Sequence, residues 1–387
     1  MNTSLPEKKR TAFTILLYIG ISLFLGKMIV LYGPSFPIIT DSLKYIEIAT
    51  SITNGEYAAI KGIIYPPGYP AFLAIVYTLL NTSAATIFAV HFLLLSGIAS
   101  LTFLIAQRFF NIRYSLSLLA GLTILVWPYM ILYSILIMSE VVYIFFLLSS
   151  LYLLLAACTT KTKRSFAYAG VIIGITTLIR PITLLLPFWF IGLYILWHLY
   201  KKKSLHLYKE IGIGIALFII TLLPWSLYMY ANTGVLLPVS SHLPHVLDKS
   251  YNTLSYEDAF AVDAEPSTPE VIKSKVKNFF VFWNPGAGGY QAQQVIDRFP
   301  AAIYGIHLYK IGFFTILLLA FASLLLPNKK LSAYLLWGTI LYIWLLHTVL
   351  YPYPRYMLPT VPLIIILAVY TLDNYRSVYS KITALRK

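Results

Sequence analysis

The 387-residue sequence predicts an all-α polytopic membrane protein, and two observations carry that prediction. Hydrophobic residues make up 59% of the chain and charged residues 11%, with a mean hydropathy of +0.77. A soluble domain carries about 25% charged residues, so a water-facing surface cannot be built from this composition. The second observation is the distribution of charge, which alternates from one inter-helical connection to the next. It follows once the apolar runs are placed.

Ten runs read as spans: 12–32, 83–107, 114–134, 138–157, 165–179, 181–199, 211–231, 303–326, 332–350 and 355–372. Each is near the roughly 20 residues that cross a hydrocarbon core, or somewhat shorter. Glu7-Lys8-Lys9-Arg10 precedes the first run, which is long enough to span and be retained rather than cleaved. The run 68–80 is too short to cross and reads as a re-entrant or interfacial helix. The whole chain, 1–387, is expected to form a single membrane domain with two long external loops, 33–67 and 232–302. The one cysteine, Cys158, excludes an intramolecular disulfide and a thiolate metal site.

With the N-terminus inside, the cytoplasmic segments hold Lys8, Lys9, Arg10, Arg108, Arg113, Lys161, Lys163, Arg164, Lys201, Lys202, Lys203, Lys209, Lys329, Lys330, Arg376, Lys381, Arg386 and Lys387. Against them stand only Glu7, Glu210 and Asp373, so these segments carry the entire formal charge of +15 and the rest of the chain is neutral. That is the positive-inside pattern at every loop. It predicts a plasma or inner membrane protein with both termini cytoplasmic. It also excludes nucleic acid as the partner, because anionic headgroups account for the basic loops.

The external face carries the candidate chemistry. In Ile39-Thr40-Asp41-Ser42-Leu43-Lys44-Tyr45-Ile46, apolar residues at Leu43, Ile46, Ala49 and Ile52 predict a short amphipathic helix in the interface. Thr40 or Asp41 would cap it, and Asp41, Lys44 and Tyr45 fall on one side. A carboxylate beside an ammonium suits a site where one accepts a proton and the other holds a phosphate; the plain alternative is a surface ion pair. Tyr65-Pro66-Pro67-Gly68-Tyr69-Pro70, with Lys61 just before it, sets a rigid turn into the short apolar helix.

Glu140 opens the fourth span, and Arg180-Pro181 breaks an apolar hairpin on the external side. An arginine there needs an anionic partner, either a protein group or a lipid phosphate. Pro224-Trp225 and Asn232-Thr233-Gly234 break another external helix end. His242, His245 and Asp248 match a metal cluster only loosely, and no ligand set for a divalent ion is seen. Trp283-Asn284-Pro285-Gly286 reads as a loop over a site or a turn; Arg355 and Tyr356 open the last span, and the lone His347 reads as packed or interfacial. Two acids and three cations, Asp41, Glu140, Lys44, Arg180 and Arg355, thus share one face, as a phosphate-linked lipid substrate requires.

In this order the motifs resemble the GT-C glycosyltransferases, which use polyprenyl-phosphate sugars and include the protein O-mannosyltransferases and the aminoarabinose transferases. The resemblance rests on Asp41 with Lys44, the Pro66-Pro67 segment, Ser139-Glu140, Arg180-Pro181, Pro224-Trp225 with Asn232-Thr233-Gly234 and Pro238-Val239-Ser240, and Tyr353-Pro354-Arg355-Tyr356. Members often carry two adjacent acids where this chain has Asp41-Ser42, and a lysine before Pro-Pro where it has Tyr65, with Lys61 as a substitute. Some members also have a large soluble C-terminal domain, which this sequence does not show.

The resemblance implies a GT-C-like bundle of about ten helices, with interfacial helices in the first external loop. It implies transfer, with inversion, from a polyprenyl-phosphate donor to a protein, lipid or glycan acceptor at the external face. Asp41 would be the base and Glu140 would position it or the acceptor. Lys44, Lys61, Arg180 and Arg355 would bind the donor phosphate. Tyr45, Tyr65, Pro66, Pro67, Tyr69, Trp225, Asn232, His242, Trp283 and Tyr356 would line the cavity. Two alternatives stay open: a transporter of lipid-linked saccharide or small anion, for which mid-span positions offer little beyond Lys27, and an O-antigen ligase or polymerase-like enzyme.

Overall fold

The computed structural model describes residues 6–32, 40–56, 65–201, 207–240, 268–285, 302–326, 330–350 and 354–375. Among these, every regular element is helical. The helices are α1 (Glu7–Tyr32), α2 (Thr40–Thr53), α3 (Gly68–Leu79), α4 (Ala84–Phe110), α5 (Tyr114–Leu125), α6 (Pro128–Ser134), α7 (Glu140–Thr160), α8 (Lys163–Ile179), α9 (Leu186–Tyr200), α10 (Tyr208–Thr233), α11 (Thr268–Val281), α12 (Ala302–Ala322), α13 (Leu331–Val349) and α14 (Val361–Asp373). Eight helical stretches among the described residues are long and apolar enough to cross a membrane.

The ten expected spans each find a counterpart, with two qualifications. The third is a broken pair, α5 and α6, bent by 51°. Pro128 supplies the break: Trp127 before it is extended, at ψ 118°, as the residue preceding a proline must be. The fifth, α8, has 17 residues and stops at Arg180-Pro181. The run at 68–80 is α3, 12 residues long.

Two compact units divide the chain. The first comprises Met1–Leu184 and Leu205–Val239 and holds α1 to α8 and α10. Lipid tails are as apolar as leucine, so its helices are joined by small residues and interhelical hydrogen bonds rather than by hydrophobic collapse. Tyr18 donates its hydroxyl to the Leu118 carbonyl at 2.9 Å, and Ser22 to the Phe92 carbonyl at 2.6 Å. Ser150 and Thr176 join α7 to α8 through a 3.0 Å hydroxyl pair. The closest approach is between α8 and α10: a Cβ on Gly170 would lie 2.0 Å from the Gly214 carbonyl oxygen, and one on Gly174 2.7 Å from Thr221.

The second unit comprises Leu185–Ser204 and Ser240–Lys387 and holds α9 and α11 to α14. The stretch Arg355–Asp373, which contains α14, is its most enclosed, with 83% of its apolar window buried. Thr371 on α14 donates to the Leu319 carbonyl of α12 at 2.8 Å. Trp189 on α9 donates to the Gly338 carbonyl of α13 at 2.9 Å.

Candidate active site

In the first unit the candidate residues gather around α3. Its Pro66-Pro67 entry cannot continue a helix upstream, so the chain turns abruptly into Gly68. Gly68 is there for space: a Cβ would sit 2.6 Å from the Ile179 nitrogen and 2.7 Å from the Leu178 carbonyl carbon. The missing side chain lets the start of α3 lie directly on the end of α8, one residue before Arg180.

Pro181 then stops α8. It holds Arg180 in an extended conformation, φ −142° and ψ 119°, as expected before proline. The Arg180 nitrogen still closes the helix on the Thr176 carbonyl at 3.0 Å. Its side chain makes three contacts with the start of α7. Nη2 donates to Glu140 Oε1 at 2.5 Å, Nε donates to Ser139 Oγ at 3.0 Å, and the guanidinium lies 5.4 Å from the Tyr143 ring centroid. The Glu140 side chain is 0% exposed and that of Arg180 16%. A buried carboxylate of this kind is costly to leave unpaired. It also sits in the first turn of α7, where the helix dipole favours negative charge.

An aromatic chain joins α3 to its neighbours. Tyr69 meets Tyr45 of α2 edge to face at 4.8 Å, and Tyr45 meets Tyr65 in the same way at 5.5 Å. On its other side Tyr69 stacks with Phe72 at 6.0 Å, and its hydroxyl lies 3.4 Å from Nε2 of the fully buried His91 on α4. Tyr69 and His91 both lie in the field of the Glu140 carboxylate.

The helix α2 forms where expected and has one packed side. Ser42, Tyr45 and Ala49 are buried, whereas Leu43 is 55% exposed. Of the expected apolar stripe, Ala49 is packed and Leu43 faces outward. In a membrane an outward leucine meets lipid or interface at little cost, so apolar spacing alone does not mark the packed side. Lys44 has a carboxylate neighbour on its own helix: its ammonium is 2.9 Å from Glu47 Oε2, on the exposed side of the helix. That hydrogen bond raises the Lys44 pKa from its ordinary value. Asp41, in the first turn of α2, is partly buried.

The remaining candidates are placed as follows. On α10, Asn232 donates to the Tyr228 carbonyl at 2.8 Å, closing its own helix end. Trp225 stacks on Tyr228 at 5.3 Å and donates its indole N–H to the Val239 carbonyl. Ser226 donates to the Pro238 carbonyl at 3.2 Å, so these two residues hold the Pro238-Val239-Ser240 segment. In the second unit Tyr356 stacks on His347 at 4.3 Å, and the Arg355 guanidinium lies 5.5 Å from the Tyr356 ring. Phe282 also stacks on His347, at 6.2 Å. Trp283 is packed edge to face with Trp344 at 5.2 Å. Lys61 and His242 lie outside the described residues. No group of three or more metal-ligating side chains occurs among the described residues.

Sequence reasoning does not find Tyr143, His91 or the steric role of Gly68. Tyr143 stands three residues after Glu140, on the same side of α7, and that spacing is a usable signal. An ionisable group within a span is another, and it points to His91. Nothing in the sequence points from His91 to Tyr69.

Comparison with known proteins agrees with this architecture. Residues 65–228 match the family model described as dolichyl-phosphate-mannose-protein mannosyltransferase. No curated protein matches the sequence. Among solved structures, ArnT from Cupriavidus metallidurans bound to undecaprenyl phosphate superposes with a TM-score of 0.59 at 14% identity, covering 98% of this chain and 63% of that one. Its apo form gives 0.63 at 14% identity, with 96% and 62% covered. The Archaeoglobus fulgidus oligosaccharyltransferase AglB, in complex with an inhibitory peptide and a dolichol-phosphate, gives 0.59 at 13% identity, with 99% and 52% covered. The chain thus spans about three fifths of the length of ArnT and about half that of AglB. Its fold is the GT-C fold of these membrane glycosyltransferases, and from residue 65 to 228 its sequence is similar to the mannosyltransferase family pattern.

Proposed function

We propose that the chain is an integral membrane glycosyltransferase that moves a sugar from a polyprenyl-phosphate donor to an acceptor at the external face. The observation that carries the reading is the position of α3. This short helix touches the Asp41-bearing α2 through Tyr69 and Tyr45, and the Arg180-bearing end of α8 through Gly68. A carboxylate-bearing helix and an arginine-bearing helix end are thereby fixed to one rigid Pro-Pro-Gly turn. The ArnT structure that shares the fold is bound to undecaprenyl phosphate, and the AglB structure holds a dolichol-phosphate; both support a polyprenyl-phosphate donor here.

In the proposed reaction Asp41 takes the proton from the acceptor nucleophile as that atom attacks the anomeric carbon from the side opposite the phosphate. The bond from carbon to phosphate oxygen breaks, the configuration inverts, and polyprenyl phosphate leaves with the electron pair. Phosphate is a good leaving group and needs little protonation, so one carboxylate suffices. Arg180, Lys44 and Lys61 supply the positive charge that the departing phosphate requires. The contact between Lys44 and Glu47 is exposed on both sides. It therefore holds the lysine weakly and leaves it able to turn to a phosphate. Glu140, bonded to Arg180, positions that guanidinium. Both termini are assigned to the cytoplasm, because every basic loop falls on that side.

Asp41→Asn tests the proposal. Purified variant and wild type are compared for release of polyprenyl phosphate from a lipid-linked monosaccharide. The variant should elute as a folded protein and lose transfer by at least about a hundredfold, the lower end of general-base contributions. Near-normal turnover in the variant overturns the assignment.

A further inference from the structure

The helix α11 (Thr268–Val281) presents two different faces. One is packed on α13 within the second unit. Phe279 stacks on Trp344 at 4.1 Å, the Trp344 indole donates to the Phe279 carbonyl at 2.8 Å, and Ser274 is buried. The other face is uncovered: Ile272 is 60% exposed, Val276 57% and Phe280 70%. These three stand four residues apart, so they form one stripe along the helix.

Lysines border that stripe. Lys273 and Lys277, both exposed, run along one edge, four residues apart. Lys275 borders the other edge and points its ammonium at the Leu350 carbonyl, 3.4 Å away. Leu350 closes the C-terminal end of α13, a helix long and apolar enough to span. The lysine-bearing part of α11 is therefore at the level where a span ends and headgroups begin. Partial burial lowers the Lys275 pKa from its ordinary value.

We propose that α11 is an interfacial helix that lays Ile272, Val276 and Phe280 into the hydrocarbon and binds the headgroups of anionic phospholipids through Lys273 and Lys277. An apolar stripe with basic edges is the pattern of helices that lie in the plane of an anionic surface. Long lysine stems reach from the apolar stripe back to the phosphates. Charge selects the occupant. The helix carries three lysines and one acid, Glu270, so a second copy packed on the same stripe would set lysine against lysine, whereas an anionic lipid neutralises them. This assignment is independent of the proposed reaction.

The test uses the full chain with Val276 replaced by the photo-crosslinker p-benzoylphenylalanine. The protein is reconstituted in nanodiscs holding equal amounts of phosphatidylcholine and phosphatidylglycerol, and the adducts on that residue are identified by mass spectrometry. Phosphatidylglycerol adducts should exceed phosphatidylcholine adducts by about fivefold or more, the size expected of a lysine beside an anionic surface. Lys273→Gln with Lys277→Gln should return the ratio to unity, and the corresponding Lys→Arg pair should keep the excess. Equal adducts with the lysines intact overturn the proposal, as does an excess that survives the glutamine pair. A protein–protein cross-link would assign the stripe to a second copy instead. Displacement of phosphatidylglycerol adducts by added polyprenyl phosphate would assign it to that lipid.

Discussion

Replacing Gly68 by alanine should impair the protein out of proportion to the single methyl group added. The new Cβ would lie 2.6 Å from the Ile179 nitrogen, 2.7 Å from the Leu178 carbonyl carbon and 2.8 Å from Ile179 Cα. All three are backbone atoms, so no side chain can swing aside. Reaching ordinary contact at 3.4 Å requires the start of α3 and the end of α8 to part by about 0.8 Å. Overpacking of this kind costs about 1–3 kcal/mol, and the higher helix propensity of alanine returns at most about 1 kcal/mol. Thermal stability should therefore fall by about 0–2 kcal/mol, a modest change. Activity should fall further, because Arg180 is the next residue and a displacement near 1 Å costs about a hundredfold in a positioned site. Gly20→Ala and Gly212→Ala are the controls, since nothing lies within 4 Å of either added Cβ. The assay is transfer rate beside melting temperature in one detergent. If Gly68→Ala matches the controls in both, the steric account of the Pro-Pro-Gly turn is refuted.

Other perturbations follow from the same contacts. Arg180→Ala breaks the ion pair with the buried Glu140 carboxylate and should cost about 3–5 kcal/mol, whereas Glu140→Gln with Arg180→Met should recover most of that stability and none of the activity; a melting-temperature cycle over the single and double variants measures it. Tyr45→Leu removes two edge-to-face contacts, at 4.8 and 5.5 Å, each worth about 1 kcal/mol. Hydrogen exchange across 40–53 should then quicken, while Tyr45→Phe keeps the rings and the protection. Gly170→Ala drives a Cβ to 2.0 Å from the Gly214 carbonyl, so α8 and α10 must separate. Its loss of stability should exceed that of Gly212→Ala, and equal melting temperatures would remove the close-packed α8–α10 interface from the account.

Much of the fold is written in the sequence. Hydropathy locates the apolar helices, eight of them long enough to cross a membrane among the described residues, because span length is fixed by the bilayer rather than by any partner. Which side of a helix is packed is not legible in the same way. Leu43 points outward and Tyr45 inward, since lipid accepts leucine as readily as a protein interior does. Arg180 signals its need for an anion, and Glu140 stands out as an acid at a span end, yet their pairing joins positions 40 residues apart and only the packing of α7 on α8 makes it. Gly68 reads as a turn residue; its steric role depends on the end of α8, which no local pattern announces. His91 joins the aromatic chain through a hydroxyl on another helix.

The central claim is that this GT-C-fold chain consumes a polyprenyl-phosphate sugar. The most direct measurement incubates the purified full chain, in nanodiscs, with a panel of polyprenyl-phosphate monosaccharides and identifies the lipid product by mass spectrometry. The account predicts that at least one donor is consumed, that polyprenyl monophosphate is released in equal amount with glycosylated acceptor, and that Asp41→Asn stops both. Release of polyprenyl diphosphate from a diphosphate-linked donor, with every monophosphate donor left intact, would contradict it.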